Sequence, residues 1–323
     1  MAGIYFDNTM RYIKPDFYDD FRCIASACRH SCCAGWEIDI DEDTADYYAE
    51  LSGAIGGELR AHISAEPEPH FVMTEDGRCP FLCGDGLCRL ILTLGEDALC
   101  DICAEHPRFY NFTGGREESG LGLCCEEVVR LLYSSDAPIG FIAEDDGEPD
   151  EDSAEENEIY LLRGKILHTL ADRAHPLHQR MAAACALCGA EMPPLDMRRW
   201  AEFYSGLERM HESWGAAVDS LRSIYTLLER MHESWGAAVD SLRSIYTFTV
   251  PNLPRYERLA SYFVYRHFES PETLRFAMLS TAIVAALDFV SPPEQHAENL
   301  RMYSEEIEYS DENIKIICDA LKQ

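Results

Sequence analysis

FRCIASACRHSCCAGWEIDIDEDT, residues 21–44, sets the reading of the whole chain. Cys23, Cys28, Cys32 and Cys33 crowd four thiols into one short segment. Thiolates this dense repel one another and oxidise unless a soft cation neutralises them. Moving outward, the density persists. CPFLCGDGLC sets Cys79, Cys83 and Cys88 around a Gly-Asp-Gly turn, CDICAEHPRFY adds Cys100 and Cys103, and a vicinal pair follows at Cys124 and Cys125. Of 14 cysteines in 323 residues, only Cys185, Cys188 and Cys318 lie beyond residue 125, so the first third reads as a metal-binding module. The plainer alternative is a set of buried, small apolar cysteines, a role that suits Cys185, Cys188 and Cys318 on helical stretches better than it suits the dense N-terminal groups.

Spacing leaves the metal open. The C-x4-C-x2-C of plant ferredoxins begins at Cys23 and Cys28 but reaches Ser31, and C-x3-C-x2-C after Cys28 and Cys32 reaches Gly35. A two-zinc module shows paired C-x2-C knuckles, and in this region Cys100/Cys103 is the one such pair. His30 and His106 lie inside the clusters as ligands, outer hydrogen-bond donors or plain surface residues. Trp36 reads as a core anchor beside them.

The remainder has a different character. NEIYLLRGKILHTLADRA places Ile159, Leu162, Ile166 and Leu170 near one helical face. Ser270-Pro271, Ser291-Pro-Pro-Glu294 and Ser310 carry helix-start signals. The expected fold class is mainly α: a cysteine-rich metal-binding region at 1–140 with few short strands, near Trp36–Ile40 and Phe71–Thr74, an acidic linker or loop at 141–158, and a helical domain at 159–323. GAIGG at Gly53–Gly57 reads as a loop. LERMHESWGAAVDSLRSIYT stands at 207–226 and again, letter for letter, at 228–247. An offset of 21 residues turns an ideal helix by about 300°, so both copies cannot present one face along a straight helix.

Charge narrows the partners. There are 27 basic and 58 acidic side chains, a net charge of −31, which argues against nucleic acid and anionic membrane as partners. No basic patch followed by an apolar run opens the chain, and the apolar stretch Ala277–Val290 is shorter than the ~20 residues that cross a bilayer. The expectation is a soluble protein in a reducing cytoplasm. Glycine-rich nucleotide loops and a G-x-S-x-G elbow are absent from the sequence.

Four blocks in order carry a resemblance: SACRHSCCAGWEIDIDEDTADYY, CPFL with GLCRL, CAEHPR at Cys103–Arg108, and ESGLGLCCEEVVRLL. With YFVYRHF and the tail YSEEIEYSDENI, the chain resembles the flagellin lysine-N-methylase family, and part of the cysteine pattern is similar to small CxxxxCC zinc- or iron-chelating proteins. The resemblance implies methyl transfer from S-adenosylmethionine to flagellin lysines and a cysteine-bound [4Fe–4S] cluster, with zinc as the alternative metal. Its motif cysteines correspond to Cys23, Cys28, Cys32, Cys33, Cys79, Cys88, Cys103 and Cys125, leaving Cys83, Cys100 and Cys124 outside. Eight exceed the four thiolates of one cluster, so either some are not ligands or there is a second metal. Tyr262, Tyr265 and His267 are candidates by composition for holding a cationic methyl donor, against the plainer reading of a core stripe. The competing reading of the chain is a non-enzymatic zinc- or iron-chelating or electron-transfer module that binds a partner protein.

Overall fold

The computed structural model describes residues 12–113, 116–144, 154–222 and 248–322. The chain forms two compact units, one of residues 21–109 with 125–127, the other of residues up to 20, 110–124 and 128 onward. These units divide the chain differently from the boundaries at 140 and 158 drawn from composition.

In the cysteine-rich unit, short helices at Glu42–Glu50, Gly53–His62, Arg89–Leu94 and Asp101–Glu105 surround a small apolar core. Ile38, Ile40, Tyr48, Leu59, Phe71, Phe81 and Leu90 fill it, together with Cys79 and Cys100. Ile38 and Ile40 point inward on alternate residues, and their backbone pairs with the next extended piece (Phe71 N to Ile38 O 3.0 Å, Ile40 N to Pro69 O 2.7 Å). The second piece is His70–Phe71, paired with Ile63–Ser64, and it stops short of the expected Thr74. GAIGG is a helix start and not a loop. Ser52 and Gly53 open it, and Gly56 packs so tightly that a Cβ there would sit 2.0 Å from the Leu51 carbonyl oxygen. Of these glycines Gly56 is the close-approach position, while Gly53 adopts φ +83° at the helix start and Gly57 has open space beside it.

The other unit pairs helices with a four-stranded sheet that composition did not reveal. Its strands are Tyr12–Pro15 (β1), Arg108–Thr113 (β2), Arg116–Leu121 (β3) and Phe141–Glu144 (β4), in the order β2-β3-β1-β4. β1 runs parallel to β3 and antiparallel to β4. The stretch read as an acidic linker is therefore a strand at its start and a helix, Ala154–Ala171, at its end, while residues 145–153 lie outside the described residues. On that helix the buried face is Tyr160, Arg163, Ile166, Leu167 and Leu170, and Ile159 and Leu162 are only half-buried. The face turned away from the simple apolar count because Arg163 goes inward to Glu118 on β3 (Nη1 to Oε2 2.8 Å).

The helix Pro254–His267 sets the sheet in place. Tyr262 Oη accepts from Leu121 N and donates to Leu121 O, both at 2.6 Å, and Tyr265 Oη lies 2.8 Å from Ile13 O and Ser119 O. His267 meets Glu308 at 2.7 Å. The aromatic stripe considered for the methyl donor is thus core, with each polar tip already committed. The next helix, Pro271–Val290, opens on a capping box at Ser270 and is buried continuously from Phe276 to Asp288. At 20 residues it is long and apolar enough to cross a bilayer by length and composition, longer than the Ala277–Val290 run suggested, and 78% of its apolar window is buried inside the protein. A helix apolar on every side is what a core position requires. Ser291 does not cap a new helix: it ends this one, its Oγ donating to Leu287 O at 2.6 Å. Ser310 caps Asp311–Leu321 as expected. Of the repeated segment, 212–222 is helical, and 223–247, which holds the whole second copy, lies outside the described residues.

One buried ion group offers a pH test. Glu308 ends a π-helical turn, Ser304–Glu308, and faces Arg266 and His267. Burial alone would raise its carboxyl, but the Arg266 guanidinium and the His267 hydrogen bond outweigh it and hold it at about 2. A depressed carboxyl stabilises the fold above its unfolded value of 4.5, and that contribution is lost as pH falls toward about 2. Glu308→Gln is therefore expected to lower stability at neutral pH and to flatten its decline between pH 4.5 and 2. Acid unfolding curves that fall equally steeply in both proteins would refute this.

Candidate functional site

Ten of the cysteines, Cys23 to Cys103 and Cys125, belong to the cysteine-rich unit, and local backbone features place them. Asp41 accepts hydrogen bonds from Thr44 N and Asp101 N, both at 2.9 Å, fastening the start of one helix to the start of another. Burial opposes ionisation of the Asp41 carboxyl, but these donors lower its pKa. Cys100 immediately precedes the second of those helices and Cys103 lies in its first turn. Tyr48, fully buried, donates to Ala98 O at 2.6 Å on the approach to Cys100. At the Gly-Asp-Gly turn, Cys83 N donates to Leu87 O (2.9 Å) and Gly86 adopts φ +81°, which brings Cys88 back beside Leu82. A bridge between Ala34 and Arg78, with Cys79 N donating to Cys33 O at 2.8 Å, sets those two cysteines side by side.

Asp41→Ala is expected to cost about 1 kcal/mol, the usual worth of a helix cap. It should also speed alkylation of Cys100 and Cys103 in the metal-free protein, read by peptide mass mapping. Unchanged rates would show that Asp41 does not hold that turn.

The thiols are not equivalent. A hydrogen bond from its neighbour lowers Cys33 to about 6 against the opposing effect of burial. Cys32 is held far above the usual range by that same hydrogen bond, by desolvation and by the Cys33, Cys23 and Cys125 thiols. Cys100 and Cys103 repeat the pattern. Their shared hydrogen bond lowers Cys100 and raises Cys103, whose sulfur also feels Cys33 and Cys79. Each pair gives up one proton readily and holds the second. Burial pushes Cys79 up to about 11, raises Cys88, and drops His106 to about 4.

Of the eight cysteines assigned by resemblance, Cys33, Cys79, Cys88 and Cys103 pack on the apolar core, and Cys23, Cys28, Cys32 and Cys125 lie outside it. Cys100, set aside as an extra, is 1% exposed and sits with the first group. Its C-x2-C spacing to Cys103 was the signal that pointed there. Cys83 is half-buried on its turn, while Cys124 belongs to the other unit and contacts Tyr309. Cys185 is fully buried and Cys318 half-buried, as packing residues are. Trp36 is half-buried, its Nε1 donating to Cys32 O at 2.5 Å and its ring 5.9 Å from His106. Glu126 had no place in the sequence reading. It accepts from Arg29 N and Nε at 3.0 and 2.8 Å, beside Cys28 and His30.

This donor set suits a soft metal, since thiols are the ligands of zinc and of iron–sulfur clusters alike. Among the described residues no three His, Cys, Asp or Glu side chains already converge as a cage, the sulfurs being hydrogen-bonded in pairs. Metal binding exchanges such thiol protons for metal bonds.

No family model and no solved structure matches the chain. Curated relatives do. Over 132 residues it is 36% identical to a lysine-N-methylase of Salmonella choleraesuis (strain SC-B67), an overlap of 38% of this chain and 33% of that protein. A lysine-N-methylase of Salmonella typhimurium matches at 35% with the same coverage. The flagellar biosynthetic protein FliU of Salmonella muenchen matches at 33% identity over 132 residues, again 38% of this chain but 78% of that protein. The aligned part spans about a third of the lysine-N-methylases.

Proposed function

The chain belongs to the family of the lysine-N-methylases and FliU, and from that membership we propose that it is a protein-lysine N-methyltransferase that moves the methyl of S-adenosylmethionine onto flagellin lysines in the cytoplasm. The observation that carries this is the match to proteins named lysine-N-methylase, supported by a thiol-rich unit whose inner cysteines, Cys33, Cys79, Cys88 and Cys103 with Cys100, suit an iron–sulfur cluster. When bound, such a cluster neutralises the crowded thiolates and staples a unit whose apolar core is small.

What the chain itself contributes is attraction of a cationic substrate. A net charge of −31 draws a cationic lysine in and favours its protonated form. The amine must lose that proton before attack, so its binding site has to be desolvated as well as acidic. Tyr262, Tyr265 and His267, bonded as described, are not available to hold the donor.

The test is direct. Anaerobically prepared protein is incubated with flagellin and methyl-labelled S-adenosylmethionine, and lysine methylation is read by peptide mass spectrometry. Labelled methyl-lysine is expected, and iron-loaded protein that leaves flagellin unlabelled would overturn the reading. Methyl transfer by protein free of iron would separate the activity from the cluster.

A further inference from the structure

The two faces of the four-stranded sheet differ in character. One turns to the helices: Ile13, Arg116 and Glu118 are buried, Glu118 pairs with Arg163, and Asn111 Nδ2 donates to Arg266 O at 3.5 Å. Side chains alternate along a strand, so the residues between these occupy the opposite face. That face holds Tyr12 on β1, Tyr110 and Phe112 on β2, Glu117 on β3, and Ile142 and Glu144 on β4. Phe112 is 74% exposed, and Tyr12, Tyr110 and Ile142 are exposed with it. A sheet face that meets only water carries polar side chains at such positions. Large apolar side chains grouped on one face mark a contact surface, where scattered ones mean nothing.

Charge decides what fits this surface. Tyr12 is paired in register with Glu117 on its parallel neighbour and with Glu144 on its antiparallel one. Neighbouring strands stand about 4.8 Å apart, so an aromatic ring is flanked by two carboxylate-bearing positions roughly 10 Å apart. The cation nearest in sequence is committed elsewhere, Lys14 Nζ reaching Asp19 Oδ2 at 2.9 Å. Glu117 accepts from Ser119 Oγ at 3.4 Å, and among the described residues neither glutamate has a hydrogen-bonded cation. A ring face with carboxylates beside it is a surrounding that an ammonium group prefers. A second copy of the chain fits poorly, because it brings a net charge of −31 against the same sign.

We propose that this sheet face is a docking surface for a lysine-bearing polypeptide segment. One lysine of the partner stands over Tyr12 between Glu117 and Glu144, and apolar neighbours of that lysine cover Phe112 and Ile142. Flanking carboxylates favour the protonated amine, so this lysine is an anchor and the methyl acceptor is another lysine of the same partner. The inference rests on the reading above for the kind of partner and adds where that partner is held.

The experiment uses the full chain, prepared anaerobically and without methyl donor. The probe is a fluorescent peptide carrying two lysines among valines and serines, with its lysine-acetylated form as the control, and binding is read by anisotropy. The wild type is expected to bind the lysine peptide about tenfold tighter than the acetylated one. Glu117→Gln/Glu144→Gln and Phe112→Ser should each weaken binding about tenfold while melting as the wild type does. Attraction to the overall charge alone survives the loss of two carboxylates, so unchanged affinity in the variants would overturn the proposal. Equal binding of the two peptides would overturn it as well. Self-association of the wild type that Phe112→Ser abolishes would give the face to a second copy and refute the peptide surface. Should a variant melt early, a photoreactive form of the peptide is crosslinked to the wild type. Attachment within the four strands supports the docking surface, and attachment confined to other segments refutes it. Binding is read without methyl transfer, so a failure of the methylase reading leaves this result intact. Conversely, flagellin methylated by both variants with unchanged KM would refute the docking surface while that reading stands.

Discussion

Replacing Glu257 by alanine is expected to destabilise the helical unit by about 3–5 kcal/mol, the largest single-residue effect among its charged groups. Glu257 is 1% exposed on the helix Pro254–His267 and accepts from two arginines. Arg180 Nη1 reaches its Oε2 at 2.7 Å, and Arg173 grips the same carboxylate through Nε and Nη2 at 2.8–3.1 Å. The Arg180 side chain is itself only 4% exposed, so removing the carboxylate strands a buried cation. Most of the expected loss is that stranded charge rather than the worth of the pair. The double variant Glu257→Ala/Arg180→Met should accordingly recover part of the loss, a non-additivity measurable by urea unfolding. A single-variant cost below about 1 kcal/mol would mean that solvent reaches Arg180 easily, against its burial.

The second large effect belongs to the cysteine-rich unit. Phe81→Ala is expected to cost about 3–5 kcal/mol, as buried aromatic truncations do. Phe81 is 1% exposed, meets Phe71 edge-on at 5.3 Å between centroids, and carries Arg89 over its ring at 5.4 Å. Few large side chains build this core, so a void there has no neighbour large enough to fill it. The same substitution should open Cys79 and Cys100 to alkylation. Stability loss without faster alkylation would separate the packing from the shielding of these thiols.

What the sequence disclosed follows from what was local. The thiol crowding, the capping serines at 270 and 310 and the long apolar helix are all set within a few residues, and they are where they were expected. The sheet is another matter. β3 reads R-E-E-S-G-L, a pattern of surface loops, yet Arg116 and Glu118 face inward. They are tolerated because partners from a distant helix receive them: Arg163 pairs with Glu118, and Arg116 stacks 4.2 Å from the Tyr160 ring centroid. Charge that is paired only in three dimensions looks like exposure in one. Cys100 was set outside the family's motif for a related reason. Its spacing to Cys103 was legible, but its burial comes from the contacts of Tyr48 and Asp41 around the turn. Glu126 followed a cysteine pair and drew no attention, because its role depends on Arg29, 97 positions earlier.

The discontinuous build of the cysteine-rich unit also bears on the order of events at the ribosome. All five thiols on the apolar core have been made once Cys103 is added, and Cys125, outside that core, follows 22 residues later. The first and third sheet strands wait far longer, since the hydroxyl that binds Ile13 O arrives 252 residues after it, on Tyr265. A nascent chain can therefore enclose its inner cysteines before the helices of the other unit exist, as domains folding in order of synthesis do. Exposure to oxidants ends early for the sulfurs packed on the core, and persists for Cys23 and Cys32, which stay exposed.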